Sequence, residues 1–212
     1  LYTVIILQYK CELRMKKVVF WFLKNGACWL FYNSTSQVKL GLGVMASAAA
    51  QRANIRSPVG NKINKYDITE LAEFDIKAKV LSKKNYSQDR GADLSPTDLA
   101  LGWGNMSDEN ILKNIKISQS GRFYYWRVDS FPIPRREIET HSANMHLIPA
   151  NDSVKRTISK IKQGDIVEIS GSLVDVTSKK DNWRWKSSLT RDDTGNGACE
   201  LIWVKSLHIV TP

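Results

Sequence analysis

The sequence predicts an α+β fold: a small antiparallel, barrel-like sheet of the OB or SH3 kind with short helices, preceded by an N-terminal membrane segment and a linker. Three observations carry this. Five or more short strand-like runs follow residue 66, with short helical stretches between them. The C-terminal order is a turn, Gly164-Asp165-Ile166-Val167, Gly171-Ser172-Leu173-Val174-Asp175-Val176, a hairpin and an Asp-Thr-Gly loop, which suits a small barrel. Charge also divides sharply. Residues 1–66 hold ten Lys/Arg against Glu12 alone, whereas residues 67–212 hold 21 against 20.

Composition excludes several classes. In 212 residues, 42% hydrophobic and 25% charged content excludes a polytopic membrane protein and a wholly disordered chain. Three cysteines exclude a disulfide-dense scaffold and a four-thiolate zinc site. The net charge of +10 suggests nucleic acid at first, but the excess sits in the N-terminal third. There it suits membrane targeting or a solvated linker equally well.

Residues 1–36 are expected to be a signal-anchor or a non-native extension, with Met15 a more natural start than Leu1. Met15-Lys16-Lys17 precedes an apolar run, as in a secretory signal or anchor. The 15 residues from Val18 to Tyr32 fall short of a comfortable span, and Lys24 interrupts them. A single anchor, a signal cleaved near Ala46-Ser47-Ala48, and a buried segment all remain open. Residues 37–65 read as a flexible basic linker, because their low hydrophobicity offers little to offset the entropy of ordering.

The globular β-rich domain is expected over residues 66–212. Residues 74–81 alternate as a half-wet strand. Ser95-Pro96-Thr97-Asp98 reads as a helix start, with Ser95 as N-cap and Asp98 in the first turn. Ser107 opens a second short helix. Residues 115–119 and 122–128 read as strands joined at Ser120-Gly121, and Pro132 and Pro134 enforce an extended crossing. Residues 154–161 place Val154, Ile158 and Ile161 on one helix face. A turn at Gly164 leads to a strand over 166–176, with a bulge or bend at Gly171. Residues 183–189 pair with that strand, and 198–204 and 206–210 form two more.

Several of these stretches resemble a family of uncharacterised bacterial proteins that often carry an N-terminal membrane segment. They are Asp93-Leu94-Ser95-Pro96, Ala100-Leu101-Gly102-Trp103-Gly104 with Met106-Ser107-Asp108, residues 117–127, 132–138, Ser142-Ala143-Asn144-Met145-His146-Leu147-Ile148-Pro149-Ala150, and 183–200. The likeness covers about residues 66–205; the N-terminal third matches only in general character. It implies a shared fold and an envelope location, and no reaction.

Three constellations are candidate sites. His141 and His146, with Cys199 or an Asp, have donors that suit zinc, but residues five apart diverge on either a helix or a strand. The same His146 with Cys199 or Asp193 would make a nucleophile pair, against which stands an irregular loop whose His146 and Asn144 bond backbone carbonyls. The third is aromatic: Trp103, Tyr124, Trp126, Trp183 and Trp185 lie near Arg127 and Arg184 and would stack bases, sugars or peptide, or pack as core. No Gly-rich phosphate loop, GxSxG elbow or HExxH motif occurs, and no cofactor or metal is expected.

The expected protein is therefore a membrane-tethered envelope domain that binds a protein or glycan, or serves structurally, with its globular part in the periplasm. An OB-like nucleic-acid binder and a hydrolase using His146 are the alternatives.

Overall fold

One strand organises the domain. In the computed structural model, which describes residues 37–55, 60–190 and 199–210, β3 runs unbroken from Tyr66 to Asn85. Three strands share one of its edges. β2 (Gly60–Ile63), β1 (Gln51–Asn54) and β4 (Thr97–Gly102) pair with it in succession, all antiparallel. Its other edge pairs antiparallel with β8 (Ile166–Ser178) over thirteen residues, Tyr66 to Lys79 save the bulged Leu71.

The pairings close a ring. β4 pairs with β7 (Ser142–Pro149), β7 pairs parallel with β10 (Glu200–Val210), and β10 pairs antiparallel with β8, which returns to β3. A mostly β, barrel-like sheet with few short helices results, as expected. β9 (Arg184–Lys186) extends β8, while β5 (Ile115–Ser120) and β6 (Phe123–Val128) form a separate two-stranded sheet.

Alternation fills the ring. Phe74, Ile76, Leu99, Leu101, Met145, Leu147, Val167, Ile169, Ile202 and Val204 face one buried cluster, so every ring strand contributes to it. Helix α3 (Asp152–Lys160) packs Val154 and Ile158 there; Ile161 follows, and Asn151 caps the helix by accepting from the Val154 N–H. This is the helix that the spacing of those residues predicts.

Bulges let β3 and β10 serve two faces. The register of β3 shifts between Glu70 and Ala72, so Tyr66 and Ile68 face a second cluster while Phe74 and Ile76 face the ring interior. β10 shifts between Val204 and Ser206. The sequence places an irregularity at Gly171, and the β8–β10 pairing shifts register at that point; it also splits residues 198–210 into two strands, which is corrected. Gly171 pairs with Val204 beside that shift, and a side chain is excluded there because a Cβ would stand 2.1 Å from the Trp203 carbonyl oxygen. The extra residue is on the partner, and β10 is continuous.

Two further expectations fail for identifiable reasons. Residues 97–101 form strand β4, entirely buried, rather than a helix. Asp98 is a buried ion-pair partner, and Leu99 and Leu101 follow a period of two into the core. Residues 38–55 and 60–63 are an ordered strap with two strands rather than a flexible tether. The strap brings little apolar surface, but its backbone finds acceptors. Val38 N–H bonds the Gln163 carbonyl, Leu40 N–H bonds Glu109, and Met45 and Ala46 N–H share the Ser107 hydroxyl. Ala46 enters the main core, 1% exposed.

The insertion between β4 and β7 matters most for function. It begins with a 3-10 turn at Gly104–Ser107 and α1 (Glu109–Leu112), capped by Asp108 rather than by Ser107. The β5–β6 hairpin follows, turning through Gly121 and Arg122 at φ 58° and 72°. α2 (Arg135–Thr140) leads into β7. Alternate residues Tyr124, Trp126 and Ile117 turn inward onto Leu81, Ala100, Met106 and Ile138, which seats the hairpin beside the barrel.

Among the described residues no helix is long and apolar enough to cross a membrane. The expected membrane segment lies outside the described residues.

Candidate functional site

The outward face of β4 and β7 carries Asp98 and His146 at paired positions in the register. Both are sealed from solvent, at 0% and 3% exposure. His146 Nδ1 stands 2.9 Å from Asp98 Oδ2. Neither atom makes a directed hydrogen bond, so the contact is one of proximity.

Asp98 Oδ1 accepts from Arg122 Nη1 at 2.8 Å. Arg122 reaches it from the tip of the hairpin. Its Nε and Nη2 grip Asp89 at 3.1 and 2.7 Å, and Nη1 also donates to the Ser95 carbonyl at 2.9 Å. Tyr86 lies across one part of the guanidinium with its ring centre 3.9 Å away, and Trp185 stands at 5.6 Å. The main chain is held too. Arg122 N–H donates to Tyr86 Oη, and its carbonyl accepts from Asn144 Nδ2 at 2.9 Å and from the Cys199 thiol. Gln119 Nε2 donates to Asn144 Oδ1 at 2.7 Å, tying the hairpin to β7 a second time.

Charge follows geometry. Burial works against ionising Asp89, but its bonds to Arg122 prevail and hold it below the usual carboxylate range. Burial raises the Tyr86 phenol, which therefore keeps its proton. Burial, reinforced by the charges of Glu200 and Asp98, pushes the Cys199 thiol up to about 11. A nucleophilic cysteine needs the opposite shift.

The expected site residues are thus redistributed. Residues 142–149 form a central strand rather than an irregular loop, and His146 meets a carboxylate rather than a backbone carbonyl; Asn144 does bond one. Cys199 engages Asn144 and the Arg122 carbonyl rather than His146. His141 caps α2, bonding the Glu137 carbonyl, and packs against Trp103. Among the described residues no group of three His, Cys, Asp or Glu is placed to hold a metal. Asp193 lies outside the described residues.

The aromatic candidates do not share a groove. Trp103 is core, 1% exposed, and Tyr124 and Trp126 line the inner side of the hairpin. Trp183 and Trp185 pack against Tyr66 and His146 in a row of rings, with Arg90 4.7 Å from the Trp183 centre. Arg184 is held by Asp175, and Arg127 projects from the hairpin's wet face. Only Trp185 reaches the polar cluster.

Sequence reasoning missed Tyr86, Asp89, Asp98 and Arg122 as a group. The available signal was the period-two reading of residues 97–101, which turns Asp98 away from Leu99 and Leu101. A cavity of about 270 Å³ adjoins the cluster, lined by Tyr86, Pro96, Thr97 and Pro149 with Lys155 and Ile158 of α3. It is small for a ligand pocket.

No family model, curated protein or solved structure matches the chain.

Proposed function

We propose that the chain is a non-catalytic, OB-like binding or structural module of the bacterial envelope. Its N-terminal segment tethers it to the inner membrane, and its barrel faces the periplasm. The ring order β3-β4-β7-β10-β8, with β7 and β10 parallel and α3 connecting β7 to β8, supports the OB-like reading. The resemblance in residues 66–205 and the cationic, then apolar, opening at Met15 support the address.

The observation that carries the non-catalytic reading is the state of the polar cluster. Its guanidinium, its amide and the Asp89 carboxylate are spent on one another, and Asp98 gives one oxygen to Arg122. The imidazole is sealed, and the thiol is protonated at neutral pH. In OB barrels the second and third strands commonly present the ligand face. Here that face carries the buried carboxylate of Asp98 and lies under the hairpin, which disfavours an oligonucleotide on it.

Fractionation of cells expressing the full chain tests the address, with protease added to spheroplasts. The expected result is a membrane pellet from which the domain is cleaved from outside. A soluble, protease-protected protein that binds single-stranded DNA with steep salt dependence overturns the proposal.

A further inference from the structure

The surroundings of Arg122 form a receptor in their own right. From the cage of Tyr86, Asp89, Ser95, Asp98 and Trp185 we infer a guanidinium-binding site, one that the chain fills in cis with its own Arg122 so that the β5–β6 hairpin is latched over the β4–β7 face. This names the ligand chemistry of the module proposed above and rests on its non-catalytic reading. Its test does not depend on cellular location.

Three features fit a guanidinium and no smaller cation. All three of its nitrogens are engaged at 2.7–3.1 Å, two of them by the one carboxylate of Asp89. That planar fork is what an ammonium lacks. The π faces of Tyr86 and Trp185 lie within cation–π reach, and guanidinium stacks well on such rings. Two carboxylates meet one cation, and Asp98 is sealed, so an empty cage would hold an unpaired buried charge.

Two features make the occupant a latch. Arg122 sits at φ 72°, a backbone region that disfavours L side chains, so the cage holds it there against a local cost. The hairpin pairs with no strand of the main sheet. Side-chain contacts seat it, and Arg122 contributes more polar ones than any other hairpin residue.

The test uses the full chain in detergent with Cys11 and Cys28 replaced by Ser. Arg122→Gly removes the side chain while suiting the positive φ. It is expected to lower Tm by about 10 °C and to expose Cys199 to thiol reagents. Millimolar N-acetyl-arginine amide should then restore Tm and re-protect the thiol saturably, N-acetyl-lysine amide should do neither, and adding Asp98→Asn should abolish the response. If Arg122→Gly does not fold unaided, refolding yield with each amide replaces Tm and is read in the same way. Equal responses to both amides, no response to either, or unchanged stability and thiol protection in Arg122→Gly overturns the inference.

Discussion

Asp98 and His146 face each other across adjacent strands, 2.9 Å apart and closed to solvent, and Arg122 occupies the other oxygen of the same carboxylate. The trio is a cation–anion–imidazole array on the outside of a barrel whose inside packs Phe74, Leu99, Met145, Ile169 and Ile202. Its net contribution to stability is small in principle, because desolvation cancels most of the attraction. Its asymmetry is not small.

Asp98→Asn keeps the shape and removes the charge, leaving a half-buried guanidinium with one partner fewer. The expected loss is about 3–5 kcal/mol, read by denaturant unfolding with an unchanged slope. Asp98→Asn and Arg122→Gly combined should cost much less than the sum of the single changes, because they share one interaction. Additive losses would show that the two residues act separately.

Legibility in the sequence followed how local each determinant is. The hairpin over 115–128 and the helix over 152–160 are set by neighbours in the chain, Gly121 and Asn151 with Val154 and Ile158, and both are present, although the hairpin turns at Gly121-Arg122 rather than at Ser120-Gly121. Residues 95–101 carry a local helix-start signal, Ser-Pro-Thr-Asp, which pairing with β3 and β7 overrides. The strap's partners, Ser107, Asp108 and Glu109, lie more than sixty residues away, so its own composition could not reveal them. The site was half legible. Of the expected aromatics and arginines only Trp185 touches the polar cluster, because Arg122 reaches it through the geometry of a turn.

Cys199 should be a poor nucleophile. A thiol raised from 9.0 to about 11 has about 100-fold less thiolate at pH 7.5 than an unshifted one. In the full chain with Cys11 and Cys28 as Ser, disulfide-reagent labelling should be slower than for free cysteine by at least that factor. Cys199→Ala should leave stability at pH 7 within about 1 kcal/mol. Rapid labelling of the folded chain would refute the assignment.

Stability should fall at both ends of the pH scale. Asp89, Glu70 and Glu109 are lower in the folded chain: burial opposes ionisation, but Arg122, Lys205 and Lys79 respectively outweigh it. Their contribution is complete above the ordinary values of 3.8 and 4.5 and is lost as pH falls through the depressed folded ones. Cys199 works in the opposite sense. Its folded value is raised, so the unfolded chain loses the proton first and stability drops from pH 9 toward 11. Cys199→Ala should remove that part of the alkaline loss, measured as urea midpoint against pH.

Gly171→Ala should be among the most damaging single changes outside the polar cluster. Its Cβ would stand 2.1 Å from the Trp203 carbonyl oxygen, where no rotamer relieves the clash. β8 and β10 would have to part at the point where β10 shifts register, and both strands belong to the ring. A loss of about 3 kcal/mol or more is expected, against under about 1 kcal/mol for Gly60→Ala, whose Cβ meets open space. Equal midpoints for the two variants would mean that β8 and β10 do not approach as closely as the register requires.

Ser107→Ala tests whether the strap belongs to the fold. One hydroxyl accepts from Met45 and Ala46 N–H, both at 3.0 Å, and donates to the Gly104 carbonyl at 2.7 Å. Alanine leaves two strap donors and a carbonyl unmet, for an expected loss of about 1–3 kcal/mol. The strap is held largely by these backbone bonds, so the loss should appear there first. Trypsin should cut at Lys39 and Arg52 in Ser107→Ala well before it cuts within the ring strands, while the unaltered chain resists at both positions. A strap cut at the same rate in both chains would mean that its backbone bonds are not what holds it.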